Sequence, residues 1–190
     1  MQEPERLVPY TGNIEDTIEY ALIQEHYGNR RAERSGVPLM NHIDEGLKIL
    51  RFLDADLPTM GGYCLHPLVQ DLKDLQMNHE HLQQIIGIEE SLQCAMNYRL
   101  AANAFLCREA TDPWGRREAE AAIVRNYGLL DLRTRYMLIA DKVQNKKDFM
   151  KYHWGTHARS SQLLRYFDLW LEILGAQHEF EVRQGKVIVC

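Results

Sequence analysis

Four cysteines in 190 residues, none of them in a Cys-x-x-Cys pair, exclude a disulfide framework and a zinc knuckle. Cys64, Cys94, Cys107 and Cys190 lie far apart and read as reduced, mostly buried thiols, which points to a cytoplasmic setting. The polar start, Met-Gln-Glu-Pro-Glu-Arg, has no hydrophobic signal core. No apolar run approaches the roughly 20 residues that a membrane span requires. Basic charge is also short: 22 Lys and Arg against 27 Asp and Glu leave a net charge of -5. That balance argues against broad, sequence-independent binding to DNA or RNA. A Gly-rich phosphate loop, a Ser or Cys nucleophile elbow, internal repeats and low-complexity tracts are all missing.

What is present is helical periodicity. Ile14, Ile18, Ala21 and Leu22 form one apolar stripe; Ile43, Leu47, Leu50 and Leu53 form another. Residues 88–106 predict a longer helix burying Leu92, Met96, Leu100 and Phe105. Leu132 to Val143 follows with Asp131 as N-cap, and Leu163, Phe167, Trp170, Leu171 and Leu174 stop at Gly175. Asn29 to Pro38 is a polar, basic loop, and residues 111–115 are a clear break. Near the end, Phe180 and Val182 alternate with charges, Gln184-Gly185 suits a turn, and Val187-Ile188-Val189 is strand-like. The reading is one all-α domain over 1–190, with its core at 10–175 and a C-terminal extension at 176–190 that forms a small β-hairpin.

Three segments place a polar side chain in or beside an apolar stretch: His42, His66 and Asp141. Burying such groups is costly unless they are hydrogen-bonded, paired or metal-bound. Two imidazoles and a carboxylate from three helices suit a divalent Mn, Fe, Zn or Co ion. Taken singly, each has a plainer explanation: a capping or satisfied core histidine, an exposed aspartate. His153 and His157, four apart, lack the His-Glu-x-x-His pattern and read as capping or substrate-facing. His79-Glu80-His81 reads as a solvated helix start after Asn78, and Arg30, Arg31 and Arg34 as either a solvated loop or a phosphate contact.

Taken in order, the segments resemble the HD-domain family, specifically the RelA/SpoT-type (p)ppGpp hydrolases and their small single-domain relatives. Glu33-Arg34-Ser35-Gly36-Val37-Pro38-Leu39-Met40-Asn41-His42 is similar to the family's R-K-S-G-x-P-Y-x-x-H. Leu65-His66-Pro67-Leu68-Val69-Gln70-Asp71 stands where the family has L-H-D-x-x-E-D, and Leu138-Ile139-Ala140-Asp141-Lys142-Val143-Gln144-Asn145 where it has K-L-A-D-[KR]-L-H-N. The match spans roughly residues 10 to 150, and the His-Pro pair also resembles short phage-encoded relatives.

The resemblance implies a helical bundle with the site between helices, and a metal-dependent nucleotide phosphohydrolase that uses Mn most readily. His42, His66 and Asp141 would hold the ion. Asp71, with Gln70 in the place of the family's first acid, would handle the attacking water. Arg34, Asn145 and Lys142 would meet the nucleotide. Pro67 removes a metal-binding aspartate, Gln70 a carboxylate and Gln144 a histidine. A helix ending at His66 with a new one starting at Pro67 would accommodate the proline and let Asp71 turn toward the metal. Two alternatives accompany this reading: a catalytically impaired HD domain that binds a nucleotide or a protein partner, and a phosphohydrolase acting on another nucleotide such as a deoxynucleotide.

Overall fold

The computed structural model describes residues 7–33, 35–104, 121, 130–156, 158–176 and 179–190. They form α1 (Ile18–Tyr27), preceded by a 3-10 turn at Ile14–Asp16, then α2 (Met40–Phe52), α3 (Leu57–Val69), α4 (Leu72–Gln83) and α5 (Glu89–Ala104). After them come α6 (Leu132–Tyr152), α7 (Ser160–Ile173) and the antiparallel strands β1 (Phe180–Arg183) and β2 (Lys186–Val189). The protein is therefore all-α with a small C-terminal hairpin. Among the described residues no helix is long and apolar enough to cross a membrane.

α3 is the centre of the bundle and packs against α1, α2, α4, α5 and α6. Ten of its thirteen residues are buried, so it has no solvent face and needs none of the polar positions that a surface helix carries. Gly61 and Gly62 bring α5 close: a Cβ at Gly62 would lie 2.6 Å from Cys94 Cβ and 3.0 Å from the Ser91 carbonyl oxygen. This close approach explains a difference from the periodicity. The buried face of α5 is Ser91, Leu92, Cys94, Ala95, Tyr98, Ala101 and Ala102, with Ser91, Cys94 and Ala95 the small residues that meet the glycines. Leu100 lies off that face and is 41% exposed, while Phe105, Cys107 and the break at 111–115 lie outside the described residues. In α1, likewise, Ile23 and the hydrogen-bonded Glu19 face inward, whereas Ile18 is 46% exposed and Ala21 is exposed.

The start of α6 is tied to the start of α3. Asp56 N-caps α3 by accepting from Thr59 N at 3.1 Å, and it also receives Arg133 Nε at 2.9 Å. Asp131 N-caps α6 in the same way through Thr134 N. From these joined caps the two helices run alongside each other. His66 and Asp141 each follow their cap by ten residues (56 to 66, 131 to 141). At about 1.5 Å per residue both reach the same level, about 15 Å along.

The hairpin pairs Phe180 with Val189 and Arg183 with Lys186, and turns through Gln184 (φ 48°) and Gly185 (φ 72°). Positive φ at both central residues is the primed turn whose twist suits two short strands. Phe180 is buried, with its ring 5.5 Å from that of Phe52. Gly62→Ala should push α5 away from α3 and lower unfolding free energy by about 1–3 kcal/mol, read as a reduced urea midpoint at unchanged m-value.

Candidate metal centre

One ligand atom each from His42, His66 and Asp141 lies within 4.8 Å of the others. The sequence expected these three residues together, and α2, α3 and α6 bring them together. His42 Nε2 is 3.3 Å from His66 Nε2 and 3.6 Å from Asp141 Oδ1. His66 and Asp141 are buried, while His42 keeps a partly exposed edge.

The hydrogen bonds around the two rings assign their protons. Gln144 Nε2 donates to Asp148 Oδ2 at 2.8 Å and to Glu45 Oε2 at 3.3 Å, so its carbonyl oxygen is the atom facing His42 Nδ1 at 2.6 Å. A carbonyl only accepts, and His42 Nδ1 must therefore carry hydrogen. His66 Nδ1 lies 2.6 Å from the Tyr63 carbonyl oxygen, with the same consequence. Both neutral rings then present bare Nε2 lone pairs to each other beside a carboxylate. The Tyr63 hydroxyl, 3.4 Å from His42 Nε2, can donate to one of these lone pairs, and a proton on one ring or a metal ion would relieve the arrangement further. His66 does not supply the proton, because burial and the neighbouring His42 lower its pKa from 6.5 to about 3. The donor set, two bare imidazole nitrogens and a carboxylate oxygen, fits a divalent metal.

Asp141 stays ionised. Burial pushes its pKa up, but Lys142, then His42 and His66, outweigh that and hold it at about 2. Lys142 was expected at the substrate; it is instead buried, with Nζ 2.7 Å from Asp141 Oδ2 and 5.3 Å from the centre of the Trp170 ring. Burial opposes its charge, yet Asp141 raises its pKa above the ordinary value. Asn145 donates to Asp141 Oδ1 at 2.8 Å. It also borders a cavity of about 740 Å³ shared with Ser35, Asp148, Phe149, Tyr152 and Phe167.

The remaining expected residues lie differently. Asp71 is not part of the cluster: it is exposed and N-caps α4, accepting from Asp74 N at 2.7 Å. Gln70 follows α3, with a buried Oε1 that has no partner among the described residues. Arg34 and His157 lie outside the described residues. Arg30 and Arg31 point back to backbone, donating to the carbonyls of His26 and Gly36. His153 C-caps α6, and His79 and His81 sit inside α4 rather than at its start.

The helix does not end at His66. α3 continues through Pro67 to Val69. A proline has no N–H, so the carbonyl four residues back, Tyr63, loses the donor that residue 67 would supply. That carbonyl is the one that accepts from His66 Nδ1. Sequence reasoning missed Gln144 and Tyr63, both of which set a ring's orientation; the Pro67 spacing to Tyr63 was the available signal.

No protein-family model, curated protein or solved structure matches the chain.

A histidine with a lowered pKa makes stability acid-sensitive. Unfolded His66 binds a proton near pH 6.5 and the folded form only near 3, so its contribution is complete above 6.5 and is lost as pH falls toward 3. Urea midpoints measured in chelator should fall between pH 6.5 and 4, and His66→Gln should flatten that slope.

Proposed function

We propose that the chain is a metal-dependent nucleotide phosphohydrolase of the HD type, with (p)ppGpp as its preferred class of substrate. The observation that carries the proposal is the pair of bare Nε2 atoms on His42 and His66, 3.3 Å apart beside ionised Asp141. His42, His66 and Asp141 would hold the ion. A bound divalent ion would supply Lewis-acid charge and lower the pKa of water. Mn is the ion expected from the resemblance; two imidazoles and one carboxylate suit Zn, Fe or Co as well.

The chain's own residues supply the rest. Gln144 and the Tyr63 carbonyl aim the two imidazoles. Tyr63 and Tyr98 stay protonated, because burial first and then Asp141 raise their pKa values far above the ordinary range; they line the pocket as neutral rings around His66. Asn145 borders both Asp141 and the adjoining cavity, where Tyr152 and Phe167 offer aromatic faces to a nucleoside. A cytoplasmic setting is supported by the buried free thiols of Cys64 and Cys94.

One observation favours a second reading, a catalytically impaired domain that binds a nucleotide or a protein partner. The carboxylate of Asp71 is engaged at the α4 N-terminus and Gln70 is a neutral amide, so neither is held ready as a general base. Metal titration separates the readings from a plain structural cluster, and turnover separates them from each other.

Purified protein stripped with chelator should rebind one equivalent of Mn, Zn, Fe or Co by calorimetry, and His66→Ala should abolish binding. Pyrophosphate release from ppGpp, with none from deoxynucleoside triphosphates, supports the alarmone reading; binding without turnover supports the impaired domain. No bound ion and no effect of His66→Ala would overturn the proposal. Gln144→Leu, which removes the acceptor on His42, should weaken metal affinity about 10–100-fold while the fold survives.

A further inference from the structure

Pro67 occupies a helical position where its ring offers no ligand and its nitrogen no hydrogen. An ordinary residue there would donate its N–H to the Tyr63 carbonyl and complete the α-helical ladder. The His66 imidazole takes that place, with Nδ1 2.6 Å from the same oxygen. A carbonyl has two lone pairs, but a backbone donor on the helix axis would share the oxygen with the ring and loosen its hold on Nδ1. With only one present, the ring is held with hydrogen on Nδ1 and a bare Nε2 directed at His42 Nε2.

We infer that Pro67 is a positioning residue: by withholding its N–H it selects the His66 tautomer that offers Nε2 to a metal. The metal half of this statement rests on the phosphohydrolase reading; the tautomer half does not.

The test is Pro67→Ala. Alanine restores the N–H and suits a helix interior far better than proline, so the variant should fold. Nitrogen-15 NMR of the histidine rings in metal-free protein reads the tautomer directly. Wild-type His66 should be protonated at Nδ1 alone. In Pro67→Ala a substantial Nε2-protonated fraction should appear, and affinity for Zn or Mn should fall about 10–100-fold. An unchanged His66 tautomer in Pro67→Ala overturns the inference. A tautomer change in a chain whose wild type binds no metal supports the positioning role and overturns the phosphohydrolase reading instead.

A second observation, independent of the first, lies in the cleft between α2, α6 and the hairpin, a cavity of about 520 Å³. Its lining includes Ile49, Val187, Val189 and the edge-to-face pair of half-exposed Phe52 and buried Phe180. Four lysines (48, 147, 151 and 186) line it against one acid, Glu45, in a chain whose net charge is -5. Lys147 is engaged by Glu45 and Asp148, and Lys151 lies over the Tyr152 ring. Lys48 and Lys186 are exposed and have no acidic partner among the described residues. Positive charge at the rim and aromatic surface beneath it match a small molecule with an anionic head and an apolar body.

We propose that this cleft binds amphipathic organic anions, with the head at Lys48 and Lys186 and the body on Phe52 and Phe180. Calorimetric titration with decanoate should give saturable binding. Acetate, lacking the body, and decanol, lacking the charge, should each bind at least tenfold more weakly. The double variant Lys48→Glu, Lys186→Glu should bind decanoate at least tenfold more weakly. Absence of decanoate binding, equal binding of decanol, or an unaffected double variant would overturn the proposal.

Discussion

Two imidazole nitrogens that face each other 3.3 Å apart, each stripped of its proton by a hydrogen bond on the far side of its ring, are the constraint around which this bundle is arranged. Neutral rings could avoid the confrontation if one of them turned over or changed tautomer. Neither is free to do so. The Gln144 amide is oriented by Asp148 and Glu45, and reversing it would set its NH2 against His42 and its oxygen against two carboxylates. The Tyr63 carbonyl belongs to a helix buried on all sides. A cation between them would relieve the confrontation that the fold holds in place.

Electrostatics limit how strongly that cation is attracted. Among the described residues Asp141 is the only carboxylate in the cluster, and Lys142 shares it at 2.7 Å. Removing Lys142 would leave a buried carboxylate beside two electron-rich nitrogens; keeping it means that the nearest charges almost cancel. Glu45 and Asp148 add negative charge one layer out, but Lys147 lies against both. A metal bound here would be held by its donor atoms more than by net charge. Such a balance suits ions that bind imidazole well.

Much of the architecture was legible because helical periodicity reports burial wherever one face is apolar and the other polar. α2 and α7 show this: Ile43, Leu47 and Leu50, and then Trp170, Leu171 and Leu174, are all in the core. The hairpin, with Gln184-Gly185 as its turn, followed from alternation and turn chemistry. Periodicity misled in α5, where much of the buried face beside Leu92 and Tyr98 is alanine, serine and cysteine against two glycines, and small residues carry almost no hydrophobic signal. In α3 the apolar residues surround the helix, so no stripe existed to read. His42, His66 and Asp141 were found because buried polar groups require partners. Lys142 was assigned to the nucleotide by the resemblance alone, whereas its position beside Asp141 in the sequence lets it pair with that carboxylate in the core. Asp71 was drawn toward the metal by motif position, whereas a local rule, an aspartate three residues before the backbone N–H it caps, governs it.

The proline illustrates why motif position and physical role can separate. Read as a ligand position, residue 67 is empty of oxygen, and the motif looks damaged. Read as backbone, it deletes one donor in a helix that has no water to replace it, which would leave the Tyr63 carbonyl unsatisfied in the core. An imidazole one residue earlier can fill that gap, since the side chain of His66 reaches the carbonyl three residues back. The proline and the histidine therefore satisfy each other: the ring repairs the helix, and the missing N–H fixes the ring. Residue 67, which offers no side-chain oxygen, thereby stiffens the imidazole beside it.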